Sequence, residues 1–206
     1  MNVMGRSVNV ACSDAAIGQD GLVNPIAAAF EPLLGIPSWS VTKGHGSFVT
    51  MEFGNPELTV EPERDRLLRI AGAETLTVRT RYAVVQGAWH LWVYCCQWRL
   101  QVSGVEIAHC ESDDLTINRA LGVLNGQALS GVHVDATNGG SQFEFDLGCV
   151  LRTHPAPDGS YAEEPGDQWM LYQPAGDILT VRGDGSYAIN PRTAPESSST
   201  WAPIPD

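Results

Sequence analysis

Apolar and polar residues alternate along most of this chain, in short runs punctuated by glycine. Gly46-Ser47-Phe48-Val49-Thr50-Met51-Glu52-Phe53-Gly54 sets Val49, Met51 and Phe53 at every second position. Gly140-Ser141-Gln142-Phe143-Glu144-Phe145-Asp146-Leu147-Gly148 does the same with Phe143, Phe145 and Leu147. A period of two predicts a strand with one buried face. The closing glycine of each run predicts a bulge or turn into a second strand. In both copies a Pro follows the next Leu by four residues: Leu58 to Pro62, and Leu151 to Pro155.

Other landmarks recur in the same order. Leu34-Gly35 and Leu124-Asn125-Gly126 end short helical patterns, with Gly in the left-handed C-cap position. Downstream, Trp89-His90-Leu91-Trp92 is answered by Trp169-Met170-Leu171-Tyr172, and Leu100–Gly104 by Leu179–Gly183. The pattern predicts an internal duplication, with two similar β-rich halves packed together, each preceded by a short helix. Duplication would put Phe53 and Leu147 at equivalent inward positions, and likewise Trp89 and Trp169. Glu52 and Glu144 would lie on the opposite strand faces.

Taken in order, residues 1–23 read as a loose arm with a short strand at Ser7–Ala11. Asn24-Pro25 reads as an N-cap followed by Pro at the first helical position. The helix runs to about Leu34, with Ile26, Ala29, Phe30 and Leu33 inward. A strand at Ile36–Val41 and a tight turn at Lys43–Gly46 follow. The charged stretch 61–74 is expected to hold a helical turn at Leu67, Leu68 and Ile70. Strands resume at Thr75–Val85 and at Trp89–Cys95, the latter a buried central strand. Trp98–Val102 is expected to pair back on it, with Val105–His109 next. Ser112-Asp113-Asp114 caps a second helix to Leu124, with Leu115, Asn118, Leu121 and Gly122 on one stripe. Strands are then predicted at Ala128–Val134, Gln142–Leu147, Val150–Thr153, Gln168–Gln173, Ile178–Arg182 and Ser186–Ile189. The division is a 1–23 arm, halves at 24–111 and 112–190, and a flexible Pro/Ser-rich tail at 191–206, with Trp201 as its pin. The class is α+β, mostly antiparallel β.

Charge narrows the partners. The formal net charge is −12. Residues 1–102 hold eight Lys/Arg and nine Asp/Glu, and residues 103–206 hold four and fifteen. That balance argues against nucleic acid as a direct ligand and fits a basic protein partner. No apolar run approaches the ~20 residues of a membrane span. The first residues lack the apolar core of a secretion signal, so the expected location is the cytoplasm. The five cysteines, Cys12, Cys95, Cys96, Cys110 and Cys149, are odd in number and irregular in spacing, which points to free thiols.

His90, Cys95, Cys96, His109 and Cys110 lie within 21 residues and carry zinc-type donors. Against a metal site, Cys95 and Cys96 are adjacent, so on a strand they face opposite sides. The same residues, with His45, supply the types for a Cys/His nucleophilic pair without a local signature. Trp89, Trp92, Tyr94 and Trp98 form an aromatic run suited to a binding surface or to a sheet core. Arg79 and Arg81 share a strand face and could hold an anion, or pair with Glu61, Glu63, Asp65 and Glu74. No cofactor motif is present. Binding candidates are therefore Trp89, Trp92, Trp98, His45, Arg79 and Arg81.

The layout of His45-Gly46-Ser47-Phe48, Glu52-Phe53-Gly54, Trp89-His90-Leu91-Trp92, Phe145-Asp146-Leu147-Gly148 and Trp169-Met170-Leu171-Tyr172 resembles uncharacterised bacterial β-rich families that include immunity proteins of toxin systems. The resemblance spans most of residues 30–190 and carries over no site. It implies a small cytoplasmic bacterial protein that acts by binding. The expected function is a non-enzymatic protein-binding factor with an acidic and aromatic surface. The alternatives are a small hydrolase or metal-dependent enzyme using the His/Cys group, and a ligand-binding module with a groove between the halves.

Overall fold

Two antiparallel sheets share one core in a computed structural model that describes residues 24–70, 75–156, 166–195 and 198–205. The arm at 1–23, with its expected strand, lies outside the described residues. Asn24 caps helix α1 (Pro25–Phe30) by accepting from the Ile26 and Ala27 amides, and Pro32 tightens the continuation into a 3-10 turn, Glu31–Leu33. The strands before the second helix are β1 (Ser38–Lys43), β2 (Val49–Phe53), β3 (Glu57–Val60), β4 (Arg64–Arg69), β5 (Thr75–Thr80), β6 (Ala83–Gln86), β7 (Trp89–Val93), β8 (Gln97–Val102) and β9 (Val105–His109). Helix α2 (Asp114–Leu124) follows, capped by Asp113. Then come β10 (Leu129–Val134), β11 (Ser141–Phe145), β12 (Cys149–His154), β13 (Asp167–Tyr172), β14 (Asp177–Arg182), β15 (Ser186–Pro191) and β16 (Ala202–Pro203).

One sheet has the order β1-β2-β7-β13-β14-β15-β16, and the other β10-β11-β12-β8-β9. The chain therefore changes sheet between β7 and β8. Trp98–Val102 does not pair back on Trp89–Val93 as expected; β8 runs between β12 and β9. The physical reason is Trp98, whose ring is 1% exposed and fills the shared core from the second sheet. Phe30, Phe143 and Trp169 join the layers, with ring centroids 5.6–5.9 Å apart.

Several local features recur in residues 24–111 and 112–190. Ile26, Ala29, Phe30 and Leu33 are buried on the first helical segment, and Ile117, Ala120, Leu121 and Leu124 at the same spacing on α2. Leu115, expected inward, is exposed, because the buried stripe is set from Ile117 onward. The segments after the helices pair with each other at Pro37 and Ala128. The bonds there are reciprocal: Gly35 N–H to Leu129 O beside Gly126 N–H to Ser38 O, and Leu129 N–H to Ile36 O beside Ser38 N–H to Gln127 O. Leu91 faces Leu171 where Leu151 faces Leu100. The Trp98 indole donates to Ser47 O (2.6 Å) and the Trp169 indole to Ser141 Oγ (2.7 Å), so each reaches the Gly-Ser start of its own run.

The expected landmark pairs do not occupy equivalent places. Trp89 and Trp169 stand on neighbouring strands of one sheet, and the tryptophan that shares the burial and indole bond of Trp169 is Trp98. Leu147 is 70% exposed in the β11–β12 turn, while Phe53 is fully buried. Glu52 is not on an open face but is 8% exposed.

The halves differ at the end of the second, where β15 and β16 extend the larger sheet with no counterpart on the smaller one among the described residues, and within the first. β11 returns directly to β12, whereas between β2 and β7, which pair at Phe53 and Trp89, the chain leaves the sheet. It forms a two-stranded arm of ladders β3–β6 and β4–β5. The segment expected to hold a helical turn is strand β4, paired residue for residue from Arg64–Thr80 to Arg69–Thr75, because the β-branched residues of β5 offer it a ladder. The Pro/Ser-rich tail is pinned where it is described. Trp201 lies 3.6 Å from the Arg182 guanidinium, β16 pairs with β15, and Ile204 is buried.

Candidate functional site

Alternation along three neighbouring strands sends one set of side chains to the outer face of the larger sheet. On β2 these are Thr50 and Glu52, on β7 His90 and Trp92, and on β13 Met170 and Tyr172. Register aligns them into two rows, Thr50–Trp92–Met170 and Glu52–His90–Tyr172. Phe48 and Tyr94 extend the outer face just beyond the strand ends. Phe48 lies 4.5 Å from Tyr94 and 6.1 Å from Trp92, and Trp92 lies 4.8 Å from Tyr94, between ring centroids. All three are half-buried, and the exposed His45 ring stands 6.4 Å from Phe48. The result is an aromatic platform, with one edge-on and two tilted ring pairs.

Beside it, the Glu52 carboxylate accepts from His90 Nδ1 (2.7 Å) and from the Gly87 amide (2.9 Å). The His90 ring meets Tyr172 edge-on at 5.5 Å, and Arg192 lies 5.4 Å from the Tyr172 ring. Burial pushes the Tyr172 hydroxyl up, with Arg192 opposing. A histidine oriented by a carboxylate is a general-base arrangement, but among the described residues no hydroxyl or thiol is hydrogen-bonded to it.

The arm is fixed at its root by the same residues. The Trp39 indole donates to Gly54 O (2.9 Å), and Glu52 holds Gly87. Gly54 adopts φ +77°, and a Cβ at Gly87 would overlap the Phe53 backbone.

The sequence candidates separate clearly. Trp92 and His45 join the platform. Trp89 is half-buried over the root of the arm, against Gly54. Trp98 is a core residue and offers no surface. Arg79 (2.8 Å) and Arg81 both pair with Glu63, and Arg64 pairs with Glu61 (2.9 Å), so the arginines of β5 and its exit already have an anion. His90, Cys95, His109 and Cys110 do not converge: among the described residues no three His, Cys, Asp or Glu side chains are placed to hold a metal. Phe48, Tyr172 and the buried Glu52 were missed as site residues. Within each strand alternation puts Phe48 and Glu52 on one face of the β2 segment, but which strands stand side by side, and so which residues meet Trp92 and His90, is set by the pairing.

Cys95, Cys96, Cys110 and Cys149 are free. Burial pushes the Cys96 thiol up, and the nearby Cys110 and Cys95 add to it. Burial also pushes up Cys149, whose sulfur accepts from the Gln127 amide at 3.0 Å. A raised pKa keeps a thiol protonated and unreactive. Ellman's reagent at neutral pH should therefore leave Cys96 and Cys149 unmodified in the native protein, and unfolding should release all five thiols. Rapid native labelling of Cys149 would contradict its placement.

No family model, no curated protein and no solved structure matches this chain. Among the described residues no helix is long and apolar enough to cross a membrane.

Proposed function

We propose that this chain is a non-enzymatic protein-binding factor, in the class of bacterial cytoplasmic immunity and defence-associated proteins. It engages a basic protein partner through the platform of Phe48, Trp92 and Tyr94. The observation that carries the reading is a half-exposed cluster of large aromatics on an outer sheet face of a chain with net charge −12. Aromatic anchors dominate binding energy at protein interfaces, and an acidic surround steers a cationic partner. The matched registers of the two halves fit a duplicated unit, with the arm as a later insertion in the first copy.

The hydrolase alternative draws on the Glu52–His90 pair. It is separated by substitution: His90→Ala would abolish an enzyme's turnover and leave platform binding in place. The ligand-groove alternative draws on nothing comparable, because the layer between the sheets is filled by Phe30, Trp98, Phe143 and Trp169. Affinity capture from the native host, followed by reconstitution with the purified partner, tests the reading. A stoichiometric complex that weakens as salt rises is the expected outcome. Absence of a stoichiometric partner, or a partner that binds Trp92→Ala equally well, would refute it.

A further inference from the structure

The arm presents apolar side chains that stand exposed among the described residues. Every residue of β3 and β4 is exposed, and Leu58, Val60, Leu67, Leu68, Ile70 and Leu76 are between 43% and 68% exposed. An isolated two-stranded ribbon is marginal in water. Among the described residues β4 pairs only with β5, so its other edge offers backbone groups that no described strand pairs. Its charge also differs from the rest of the chain. Residues 57–86 hold five Arg and five Asp/Glu, so the arm is neutral and the remainder carries the whole −12. Five interleaved charge pairs do not suit a lipid surface.

The sequence of β4, Arg64-Asp65-Arg66-Leu67-Leu68-Arg69, followed by Ile70, is complementary to itself. Placed antiparallel to a second copy about Leu67, it sets Leu67 against Leu67, with Asp65 facing Arg69 on both sides. These three positions share one strand face. The other face sets Leu68 against Arg66 twice, so each arginine stem covers a leucine. A slip of one residue in either direction puts Arg64 or Arg66 opposite Arg69, and like charges directly opposite are unfavourable. Neither Asp65 nor Arg69 has a side-chain partner among the described residues. The opposite edge, Thr75-Leu76-Thr77-Val78-Arg79-Thr80, carries no acid, so it has no charge complementarity to itself, and its Arg79 is already held by Glu63 at 2.8 Å.

We propose that β4 is the self-association edge of this protein, pairing with β4 of a second copy about Leu67 to join the two ribbons into a four-stranded antiparallel sheet. The pairing has two-fold symmetry, so it closes as a dimer and does not propagate.

Sedimentation of the full chain tests it. The wild type is expected to dimerise, more weakly at high salt. Asp65→Arg should raise the dissociation constant by at least about tenfold, because two cross-strand attractions become repulsions. Combining it with Arg69→Asp should restore dimerisation. Asp65 also lies opposite Arg79 within the ribbon, so Asp65→Asn, which removes the attraction without adding a like charge there, is run beside Asp65→Arg and should weaken the dimer while its melting temperature stays near that of the wild type. Leu67→Cys places the introduced thiols within disulfide reach across the axis, so a copper–phenanthroline oxidant should cross-link it. Asp65→Cys alone, opposite Arg69 and four residues from its own counterpart, should give no more dimer than the wild type. A chain that stays monomeric at its highest soluble concentration overturns the proposal, and so does a monomer whose arm is covered by a different protein. A dimer indifferent to Asp65→Arg that gives no Leu67→Cys cross-link also overturns it, and places the contact on another surface.

Discussion

Trp169→Ala and Trp98→Ala are each expected to destabilise the protein by about 3–5 kcal/mol, the range for truncating a buried aromatic ring. Trp169 is fully buried, lies 5.6 Å from both the Phe30 and Phe143 rings, and donates its indole N–H to Ser141 Oγ. Trp98 is 1% exposed and donates to Ser47 O. Alanine at either position leaves a cavity where the sheets meet and an acceptor without its donor. For a chain of this size, about 2–4 °C is lost per kcal/mol, so the melting temperature should fall by roughly 6–20 °C. Such a loss approaches the whole of a marginal stability of ~5–15 kcal/mol. Trp92→Ala, on the half-exposed outer face, should fall well short of that. Calorimetric melting of the three variants ranks them. Equal losses at Trp92 and Trp169 would contradict the assignment of one to the surface and the other to the core.

The second large effect is expected at the root of the arm. Gly87→Ala drives a methyl group into the Phe53 amide and carbonyl, where β2 and β7 first pair. Neither backbone atom can swing away, so the pair must part, at about 1–3 kcal/mol or more. Glu52→Ala acts on the same place from the other side. It leaves the Gly87 amide and His90 Nδ1 without their shared acceptor, and an unsatisfied buried donor is worth about 1–3 kcal/mol. Glu52→Gln keeps one carbonyl oxygen for Gly87 and should lose less than Glu52→Ala. Hydrogen exchange should localise both effects: faster exchange across β2 and β7 in the variants, with β10–β12 unchanged. Uniform loosening of the two sheets would contradict the placement of Glu52 as a clamp.

The sequence made the strands legible because one face of almost every strand is buried. Val49, Met51 and Phe53 announce β2 by alternation alone, and Asn24, Gly35, Asp113 and Gly126 mark the helix ends by their backbone chemistry. Strand partners were less legible. Trp89–Val93 and Trp98–Val102 are close in sequence, and no local rule says that the chain changes sheet between them. That choice is made by Trp98 filling the core. The same choice misled the matching of halves: Trp169 resembles Trp89 in its neighbours but shares its burial and indole bond with Trp98. The arm was misread because β4 has no buried face and so carries no strand signal beyond its ladder to β5. The platform was half legible. Trp92 could be named, but Phe48 and Tyr94 become its neighbours only when Val49 pairs with Val93. Glu52 looked solvated because a strand's polar face usually is; here it turns to the arm.

The most direct test of the proposed binding role is a calorimetric titration of the purified partner into wild-type protein and into Trp92→Ala, with melting curves run on both. The account predicts a stoichiometric complex with the wild type. In the variant it predicts a dissociation constant at least roughly 30-fold higher, as for loss of an aromatic anchor worth about 2 kcal/mol, while the fold persists. An unchanged dissociation constant in a folded Trp92→Ala variant would contradict it.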